Sequence, residues 1–345
     1  MSAAEGGADS GAPVLSARGV KVAFTSGFGG GRVVARAVDG VDLDVGAGEI
    51  VALVGESGCG KTTLARTLLG LERPDSGSVS FHGGPLRYSS RDLRAYRRRV
   101  QLVQQDPAAS LNPRRTVYES VAEGVRIHRG ATADEAERVA RALSRAGLRP
   151  PERFLDRYPS ELSGGQRQRV VIAGALVLEP EVLVADEPVA SLDASVRGEI
   201  LRLLLDLRDG QGLSALIVTH DLGVAWNIAD RVAVMYLGRV VEAGTVEEVL
   251  SAPRHPYTRA LLSVLPGAEG EPVVPVGEPP DPTGIPGGCR FHPRCPVRAL
   301  GEAERAGVAE RCRTEDPGIP AGDGRPRAAA CHWARAVEQA PSETG

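Results

Sequence analysis

The chain lacks any hydrophobic run that is long enough to cross a lipid bilayer. Its longest apolar stretch, residues 170–178, is far shorter than the roughly 20 residues that a membrane-spanning helix needs. The chain also lacks an excess of either charge, since its net charge is −3, which argues against a strongly basic surface for nucleic acid. The first 13 residues have neither a basic start nor an apolar core. This excludes a typical secretory signal and predicts a disordered tail over residues 1–13.

Cysteine is scarce: Cys59 is the single one among the first 285 residues, yet four follow in the last sixty. These four are Cys289, Cys295, Cys312 and Cys331. We expect the protein to work in a reducing cytoplasm, where stable disulfides are rare, so the clustering favours metal binding. Four thiolates suit Zn²⁺ or a [4Fe–4S] cluster, and the spacing, which differs from the paired C-x-x-C of zinc ribbons, does not choose between them. His292 and His332 are alternative ligands, and free buried cysteines are the other interpretation.

What the sequence does contain is a series of short apolar, β-rich runs. Each run is bounded by glycine, proline or charged residues, which is typical of strands that are buried on both faces of a sheet. The runs are residues 51–54, 100–103, 182–185, 215–218 and 232–236. Because helical patterns lie between them, the sequence predicts an α/β fold with a mainly parallel sheet.

Two segments show the periodicity of amphipathic helices. In the first, Thr132 and Glu135 predict a capping box, and Gly147 predicts the end of the helix. The stripes that we expect to be buried are Ala136, Val139, Leu143 and Ala146 in this helix and Val196, Ile200, Leu204 and Leu207 in the second. Residues 114–160 carry helix signals without a clear strand, which predicts an inserted helical subdomain. Residues 266–286 include seven prolines, which predicts a linker.

A phosphate-binding loop is predicted by the pattern G-x-x-x-x-G-K-[ST], which runs from Gly55 to Thr62 after a predicted strand. Glycines let the backbone wrap around a phosphate, and the N–H groups at the start of the following helix point towards it. The Lys61 ammonium can reach the β- and γ-phosphates, and the Thr62 hydroxyl can bind Mg²⁺. The predicted nucleotide contacts are Gly55, Ser57, Gly58, Gly60, Lys61, Thr62 and Thr63.

A second part of this site is predicted where the apolar run 182–185 ends in Asp186 and Glu187. The end of such a strand would bring Asp186 beside the phosphates, where it can hold Mg²⁺ through water. Glu187 could then orient and deprotonate the attacking water. Taken alone, two acids after an apolar run are as typical of a solvated strand end, but the preceding phosphate-binding loop favours the catalytic interpretation.

A third motif, LSGGQRQR at residues 162–169, places Ser163, Gly165 and Gln166 at another predicted helix N-terminus. Such a terminus is a second site for an anion. One nucleotide does not need two such sites in one chain. This stretch resembles the signature of the ATP-binding-cassette (ABC) ATPases.

Further matches to that family stand in the family's order along the chain. They are Phe24 for the aromatic that stacks on adenine, Gln105 for the Q-loop glutamine, residues 191–193 for the D-loop and His220 for the switch histidine at the γ-phosphate. The resemblance implies a P-loop ATPase cassette over residues 14–252, with a RecA-like core, an antiparallel β subdomain and a helical subdomain at about residues 114–175. It implies ATP and Mg²⁺ as cofactors. The implied catalytic residues are Lys61, Gln105, Glu187 and His220, and the implied Mg²⁺ ligands are Thr62, Gln105 and Asp186.

In the ABC family two cassettes pair head to tail. Each ATP lies between the phosphate-binding loop of one cassette and the signature of the other. This chain carries one copy of each motif, so the resemblance implies a partner cassette. The segment that follows Gln105 is where such cassettes meet transmembrane subunits.

The C-terminal third resembles the extension of oligopeptide/dipeptide importer ATPases, to which nickel importer ATPases are related. The matching stretches are RHPYTRALLSVLP (254–266), GCRFHPRCP and the late ACHW. The resemblance implies a cysteine-rich extension over residues 253–345, peripheral attachment to the cytoplasmic face of the membrane, and a role in powering peptide import. It implies a paralogous ATPase partner in preference to a homodimer, two permease subunits, an external solute-binding protein and no nucleic acid. Because equivalent cysteines hold a [4Fe–4S] cluster in some relatives, it favours that cluster over Zn²⁺.

Two other functions are open at this point. The nearest is the same ATPase driving import of nickel or another solute. A different class is a soluble cassette that acts on ribosomes or DNA. Against that class, the chain lacks both a second cassette and a long coiled-coil insertion.

Overall fold

The computed structural model describes residues 12–26, 33–130, 132–265, 271–319 and 327–339. The disordered tail predicted over residues 1–13 lies almost wholly outside these ranges. The strands are β1 (Leu15–Ser26), β2 (Val33–Val45), β3 (Ile50–Val54), β4 (Ser76–Phe81), β5 (Gly84–Pro85), β6 (Val100–Val103), β7 (Val182–Asp186), β8 (Ser214–Thr219), β9 (Arg231–Tyr236), β10 (Arg239–Thr245) and β11 (Ala328–Ala329). The helices are α1 (Lys61–Leu68), α2 (Ser90–Arg99), α3 (Pro107–Ser110), α4 (Val117–Arg129), α5 (Glu135–Arg145), α6 (Gly164–Leu176), α7 (Ala194–Gln211), α8 (Leu222–Ile228), α9 (Val246–Ser251), α10 (Pro256–Ser263), α11 (Pro296–Ala299), α12 (Glu302–Arg305), α13 (Ala309–Thr314) and α14 (His332–Gln339).

The central element is a seven-stranded sheet with the order β11-β10-β9-β3-β8-β7-β6. Strands β9, β3, β8, β7 and β6 pair in parallel, and β10 and β11 add an antiparallel edge. The five runs predicted to be buried strands are these parallel strands, so the predicted α/β class is confirmed. Strands β3 and β8 are buried along their whole length, which explains the unbroken apolar runs 51–54 and 215–218 within them.

The strand order decides which loops meet. Strand β8 lies between β3 and β7, and the carboxyl ends of parallel strands share one edge of a sheet. The loop after β3, the acids at the end of β7 and the residue after β8 therefore converge, although they lie far apart in the sequence. This edge carries the candidate site.

A separate antiparallel sheet has the order β2-β1-β4-β5. It is the antiparallel β subdomain that the family resemblance implied. Its apolar face shares one hydrophobic core with α1 and with one face of the central sheet. Strand β1 brings Phe24, and β2 brings Ala37, to the loop after β3.

Helices α4, α5 and α6 pack on one another and share the second large core of the molecule. The capping box predicted for Thr132 is wrong, because α5 begins at Glu135 without a side-chain cap. The Glu135 carboxylate instead binds Arg126 at 2.7 Å and the Tyr118 hydroxyl at 2.9 Å. A glutamate with these partners does not turn back to cap its own helix.

The two predicted apolar stripes are largely confirmed. In α5, three of the four predicted positions are buried, but Ala136 is exposed and Ala142 is buried in its place. In α7, three of the four are buried and Val196 is half-buried against the core. The helical pattern therefore identified the correct face within about one residue.

The described C-terminal residues pack on the central sheet. Strand β11 pairs with β10, where Glu242 faces Ala329. Tyr257 and Phe291 are buried against Tyr236, with ring centroids 4.7 Å and 5.2 Å from the Tyr236 ring. The described part of the predicted linker, residues 271–286, forms no helix or strand. None of the helices within the described ranges has the length and apolar character to span a membrane.

Candidate functional site

A cleft opens at the carboxyl edge of the central sheet, where the loops after β3, β7 and β8 meet β1 and β2. We call it the sheet-edge cleft. Its lining residues are Phe24, Ala37, Gly55, Glu56, Ser57, Gly58, Gly60, Lys61, Thr62, Thr63, Gln105, Asp186, Glu187, His220 and Leu261. The fold thus brings together all the predicted residues of the phosphate-binding loop, the glutamine, the two acids and the histidine. Phe24, which is 46% exposed, lines the same cleft.

Two glycines of the loop are required by its geometry. Gly60 has a φ of 106°, and a Cβ there would lie 2.0 Å from the Ala37 carbonyl oxygen. Gly55 has a φ of 154°, and a Cβ there would lie 2.1 Å from the Met235 carbonyl oxygen. Only glycine fits such a close approach of backbone to backbone. The loop is therefore held between β2 and the end of β9.

The side chain of Lys61 turns back into the loop from the first position of α1. Its Nζ donates hydrogen bonds to the carbonyl oxygens of Gly55 at 2.7 Å and Glu56 at 2.8 Å. The residue is only 7% exposed, and a buried ammonium requires such partners. The first amides of α1 have no intrahelical acceptors and point to the same place. The loop thus combines a positive charge with free N–H donors, which is the chemistry of a phosphate site.

Asp186 ends β7 and lines the same cleft as Thr62. Burial raises the pKa of Asp186, and the nearby Thr62 hydroxyl opposes that shift. Gln105 is exposed on the same cleft. A carboxylate, a hydroxyl and an amide oxygen are ligands that suit Mg²⁺, which usually binds one or two carboxylates together with phosphate oxygens and water.

Glu187 is held by the residue that follows β8. Its Oε1 accepts a hydrogen bond from the His220 backbone N–H at 3.1 Å and lies 2.7 Å from His220 Nδ1. Its φ of 50° is in the left-handed region, a conformation that non-glycine residues keep only where their surroundings enforce it. The Glu187 side chain is 13% exposed and that of His220 is 64% exposed. The pair therefore offers a fixed carboxylate and an imidazole that reaches solvent.

The predicted residues Ser163, Gly165 and Gln166 do not line this cleft. Ser163 caps α6: its Oγ accepts from the Gln166 N–H at 3.2 Å, and Gln166 Oε1 accepts from the Ser163 N–H at 3.0 Å. Gly165 packs so closely on α7 that a Cβ would lie 2.4 Å from Val196 Cγ1. The motif is thus a rigidly capped helix N-terminus that lies outside the cleft of its own chain.

Three residues that the sequence motifs do not predict also line the sheet-edge cleft: Ala37, Glu56 and Leu261. Glu56 stands at a position of the loop motif where any residue is allowed. Its backbone N–H donates to the hydroxyl of Tyr257 at 2.9 Å, across 201 residues of sequence. No sequence pattern links α10 to the phosphate-binding loop, so this support is visible only in the fold.

The four C-terminal cysteines converge on one small apolar cavity, which three histidines also line. Its sulfur and imidazole groups belong to Cys289, Cys295, Cys312, Cys331, His255, His292 and His332. All four cysteines are free thiols. Burial raises the pKa of Cys289 and that of Cys331 to about 12. Thiols in such a cavity pack as small apolar groups.

The metal site predicted at these cysteines is not supported by this arrangement. Among the described residues, no three His, Cys, Asp or Glu side chains are grouped as a metal ion requires. The imidazoles predicted as alternative ligands are also engaged with the backbone: His292 Nδ1 lies 2.9 Å from the Cys289 carbonyl oxygen, and His332 Nε2 lies 2.9 Å from that of Glu315. The predicted clustering of the sulfur atoms is present, but their arrangement as ligands is not.

Comparison with known proteins gives the same class from the sequence. The ABC transporter family profile matches residues 38–190, and the profile of the oligopeptide/dipeptide transporter C-terminal region matches residues 241–299. The chain is 43% identical over 310 residues to the di/tripeptide transport ATP-binding protein DppF of Pseudomonas aeruginosa, covering 88% of this chain and 92% of that protein. It is 44% identical over 288 residues to the dipeptide transport ATP-binding protein DppF of Haemophilus influenzae, covering 82% and 84%.

Solved structures agree on the fold. The chain resembles cbiO1 of Clostridium perfringens, part of the ABC transporter complex cbiONQ, with a TM-score of 0.61 and 33% identity over 70% of this chain and 91% of that one. It resembles the ATP-binding cassette MJ0796, solved as a dimer bound to ADP and Pi, with a TM-score of 0.59 and 30% identity over 67% and 98%. The two sheets and the sheet-edge cleft thus define an ABC ATPase cassette. Within that class, this chain belongs to the family of peptide ABC transporter ATP-binding proteins.

Proposed function

We propose that this chain is the ATP-hydrolysing subunit that powers import of di- and oligopeptides through a membrane ABC transporter. The observation that carries the ATPase part is the convergence of Lys61, Asp186, Glu187 and His220 on one cleft. The peptide part is supported by the relatives, two of which are named for dipeptide or di/tripeptide transport.

ATP binds with its triphosphate against the phosphate-binding loop in this proposal. The contacts come from the backbone around Gly55, Ser57, Gly58 and Gly60 and from Lys61, Thr62 and Thr63. Phe24 packs on the adenine, since an exposed aromatic ring on the same cleft is a stacking surface. Thr62, Asp186 and Gln105 would hold Mg²⁺, which would neutralise phosphate charge when bound.

Hydrolysis requires an activated water molecule at the γ-phosphate. We assign Glu187 as the base, because a carboxylate with two hydrogen bonds from one side keeps its orientation toward the other. His220 holds that carboxylate and also contacts the γ-phosphate. Lys61 and Gln105 complete the catalytic set. The Lys61 ammonium stabilises the negative charge of the phosphates, and Gln105 would bind Mg²⁺ and orient the water.

A second cassette completes each site. Ser163, Gly165 and Gln166 lie outside the cleft of their own chain, so they are proposed to contact the ATP of the partner. The partner is a paralogous ATPase, with a homodimer as the alternative outcome. The pair binds two permease subunits at the cytoplasmic face of the membrane. An external solute-binding protein delivers the solute to the permeases. Helix α3 and the segment after Gln105 contact a permease.

We propose two domains for the chain. The ATPase domain covers residues 14–252 and includes a helical subdomain at about 114–175. The C-terminal extension covers residues 253–345, and its first part is supported by the transporter-specific profile at residues 241–299. Limited proteolysis that releases a fragment ending near residue 252 would support this boundary, and cleavage only elsewhere would contradict it.

The ATPase assignment is tested by Glu187→Gln, which keeps the size of the side chain and removes the base. We expect MgATP binding to persist and hydrolysis by the purified transporter to fall by at least about a hundredfold. Uptake of a labelled dipeptide should be lost in cells that carry only this variant. Full hydrolysis by the variant would show that Glu187 is not the base. Loss of nickel uptake with intact peptide uptake would show that nickel, and not a peptide, is the transported solute.

We also propose that Cys289, Cys295, Cys312 and Cys331 bind a metal centre, with [4Fe–4S] favoured over Zn²⁺. The proposal rests on the convergence of four sulfur atoms on one cavity, since four thiolates suit either group. It requires the sulfur atoms to move closer together on binding, because their positions described above do not form a set of ligands. The protein purified without oxygen should contain iron and sulfide and absorb near roughly 400 nm, as iron–sulfur clusters do. Zinc without iron would show that Zn²⁺ is the bound metal. A preparation without any metal would contradict the proposal and show that the four cysteines are buried free thiols.

A further inference from the structure

We propose that Tyr257 and Arg294, two residues of the C-terminal region, are positioning residues that hold the phosphate-binding loop in its nucleotide-binding shape. Both act on Glu56, the residue after the first glycine of the loop. The inference rests on the proposed function, because it assigns a support to the ATP site of that function.

The loop needs such a support because its own sequence provides little rigidity. Glu56 stands between Gly55 and Gly58, which have φ values of 154° and 76°. Glycine gives a backbone many accessible conformations. A ligand that must first order its loop loses binding free energy in doing so. Contacts that fix the loop beforehand therefore increase the affinity for the nucleotide.

Tyr257 fixes the backbone N–H of Glu56. That N–H donates to the Tyr257 hydroxyl at 2.9 Å. The tyrosine is completely buried, and its ring lies 4.7 Å from that of Tyr236 and 5.4 Å from that of Phe291, measured between centroids. Burial raises the pKa of Tyr257, so the hydroxyl stays neutral. Because the ring is packed between buried aromatic rings, the hydroxyl is an acceptor that is held in a fixed position.

Arg294 fixes the carboxylate of Glu56. Its Nη1 lies 3.1 Å from Glu56 Oε2 and 3.5 Å from the Tyr236 hydroxyl, and its Nε donates to the Gly277 carbonyl at 3.2 Å. The side chains of Arg294 and Glu56 are 9% and 26% exposed. Because the pair is shielded from water, its attraction exceeds that of an ordinary surface ion pair.

The remaining polar group of Glu56, its carbonyl, accepts a hydrogen bond from Lys61 Nζ at 2.8 Å. All three polar groups of Glu56 are thus engaged: two by the C-terminal region and one by the lysine of the loop. A displacement of Glu56 would therefore move the partner of the Lys61 ammonium. This chain of contacts connects the C-terminal region to the phosphate site through a single residue.

Arg290 provides an internal comparison. It precedes Arg294 by four residues and is buried to a similar extent. Its guanidinium binds the Leu237 carbonyl and the Asp39 carboxylate, and it makes no contact with Glu56 among its hydrogen bonds within the described residues. Arg290 anchors the segment to the sheets, whereas Arg294 reaches the phosphate-binding loop.

The first test is Tyr257→Phe, which removes one hydroxyl and leaves the ring in place. We expect the Kd of the full-length chain for MgATP and for MgADP, measured by isothermal titration calorimetry, to rise about five- to tenfold, which corresponds to about 1 to 1.4 kcal/mol. Arg294→Lys should shift both Kd values in the same direction, because lysine lacks the guanidinium geometry. Tyr118→Phe, which removes a hydroxyl bonded to Glu135 in the helical region, is the matched control and should leave both unchanged.

The second test separates positioning from general stability. In the assembled transporter KM for ATP should rise by the same factor, while kcat stays within about twofold, since saturating nucleotide reorders the loop. Glu56→Gln should reproduce the effect of Arg294→Lys, and the two changes together should be no worse than either alone. Unchanged Kd values in folded Tyr257→Phe and Glu56→Gln would overturn the inference, and Glu56→Gln decides alone if Tyr257→Phe does not fold. A wild-type chain that binds no MgATP would instead overturn the proposed function.

Discussion

The contact between α6 and α7 makes a quantitative prediction for Gly165. A Cβ at this position would lie 2.4 Å from Val196 Cγ1, whereas ordinary contacts measure 3.4–4 Å. Because a valine in a helix has one strongly preferred rotamer, the N-terminus of α6 must move by about 1 Å to relieve the overlap. A displacement of that size can cost about a hundredfold in rate. Gly165→Ala should therefore lower ATP hydrolysis by the assembled transporter by about that factor and destabilise the chain by about 1–3 kcal/mol.

The same geometry predicts how activity is recovered. Val196→Ala removes both methyl groups, and the nearest remaining atom, Cβ of residue 196, would lie 3.6 Å from the new Cβ, an ordinary contact. The double variant should therefore regain most of the lost activity. Gly174→Ala, in the same helix, is the matched control: a Cβ there meets nothing within 4 Å, so stability should stay the same or rise by up to about 1 kcal/mol.

The assays for this series are urea unfolding and the steady-state ATPase rate of each variant. A Gly165→Ala protein with wild-type stability and activity would refute the packing argument. Recovery of stability without recovery of hydrolysis would show that the glycine serves the nucleotide directly and that α6–α7 packing is not the cause.

Two further predictions concern the loop and acid stability. Gly60→Ala should abolish nucleotide binding in calorimetry, because its Cβ would lie 2.0 Å from the Ala37 carbonyl oxygen; measurable affinity near the wild-type value would contradict the loop geometry. Burial lowers the pKa of His255 to about 3, so its neutral form contributes stability that is present above the unfolded pKa of about 6.5 and is lost as the pH falls towards 3. His255→Asn keeps an acceptor for the Tyr257 N–H, which donates to His255 Nδ1 at 3.0 Å in the present chain. The thermal midpoint of this variant should fall less between pH 7 and pH 4.5 than that of the wild type. An equal fall in the two proteins would contradict the role of His255.

The sequence predicted the central sheet better than the outer one, for a physical reason. Strands β3 and β8 are buried on both faces, so each contains an unbroken apolar run that can be recognised without knowledge of its neighbours in the sheet. Strands β1 and β2 are half-exposed, and their pairing contains several register shifts. Such irregular strands do not keep the strict alternation that identifies a half-buried strand. The antiparallel sheet could be anticipated only through the family resemblance.

The sequence likewise predicted some residues of the candidate site and missed others. The loop glycines, Lys61 and the acids after β7 belong to short motifs, and each motif needs only its own strand or helix to be recognised. The supports at Glu56 come from residues 201 and 238 positions away, and no local pattern reports a contact of that range. The capping box at Thr132 failed because Arg126, a partner on the preceding helix, binds the Glu135 carboxylate. Contacts that depend on the tertiary fold are therefore the part that the sequence does not reveal.

In the proposed function, the Lys61 loop of one cassette and the Ser163 terminus of another bind the same ATP. The most direct measurement is the mass, by light scattering, of the Glu187→Gln chain with its partner ATPase, with and without MgATP. We predict association that requires MgATP and that is lost in Ser163→Arg, while the Kd of that variant for MgATP at its own loop is unchanged. Association that is independent of MgATP, or that persists in Ser163→Arg, would show that the two elements do not share one ATP.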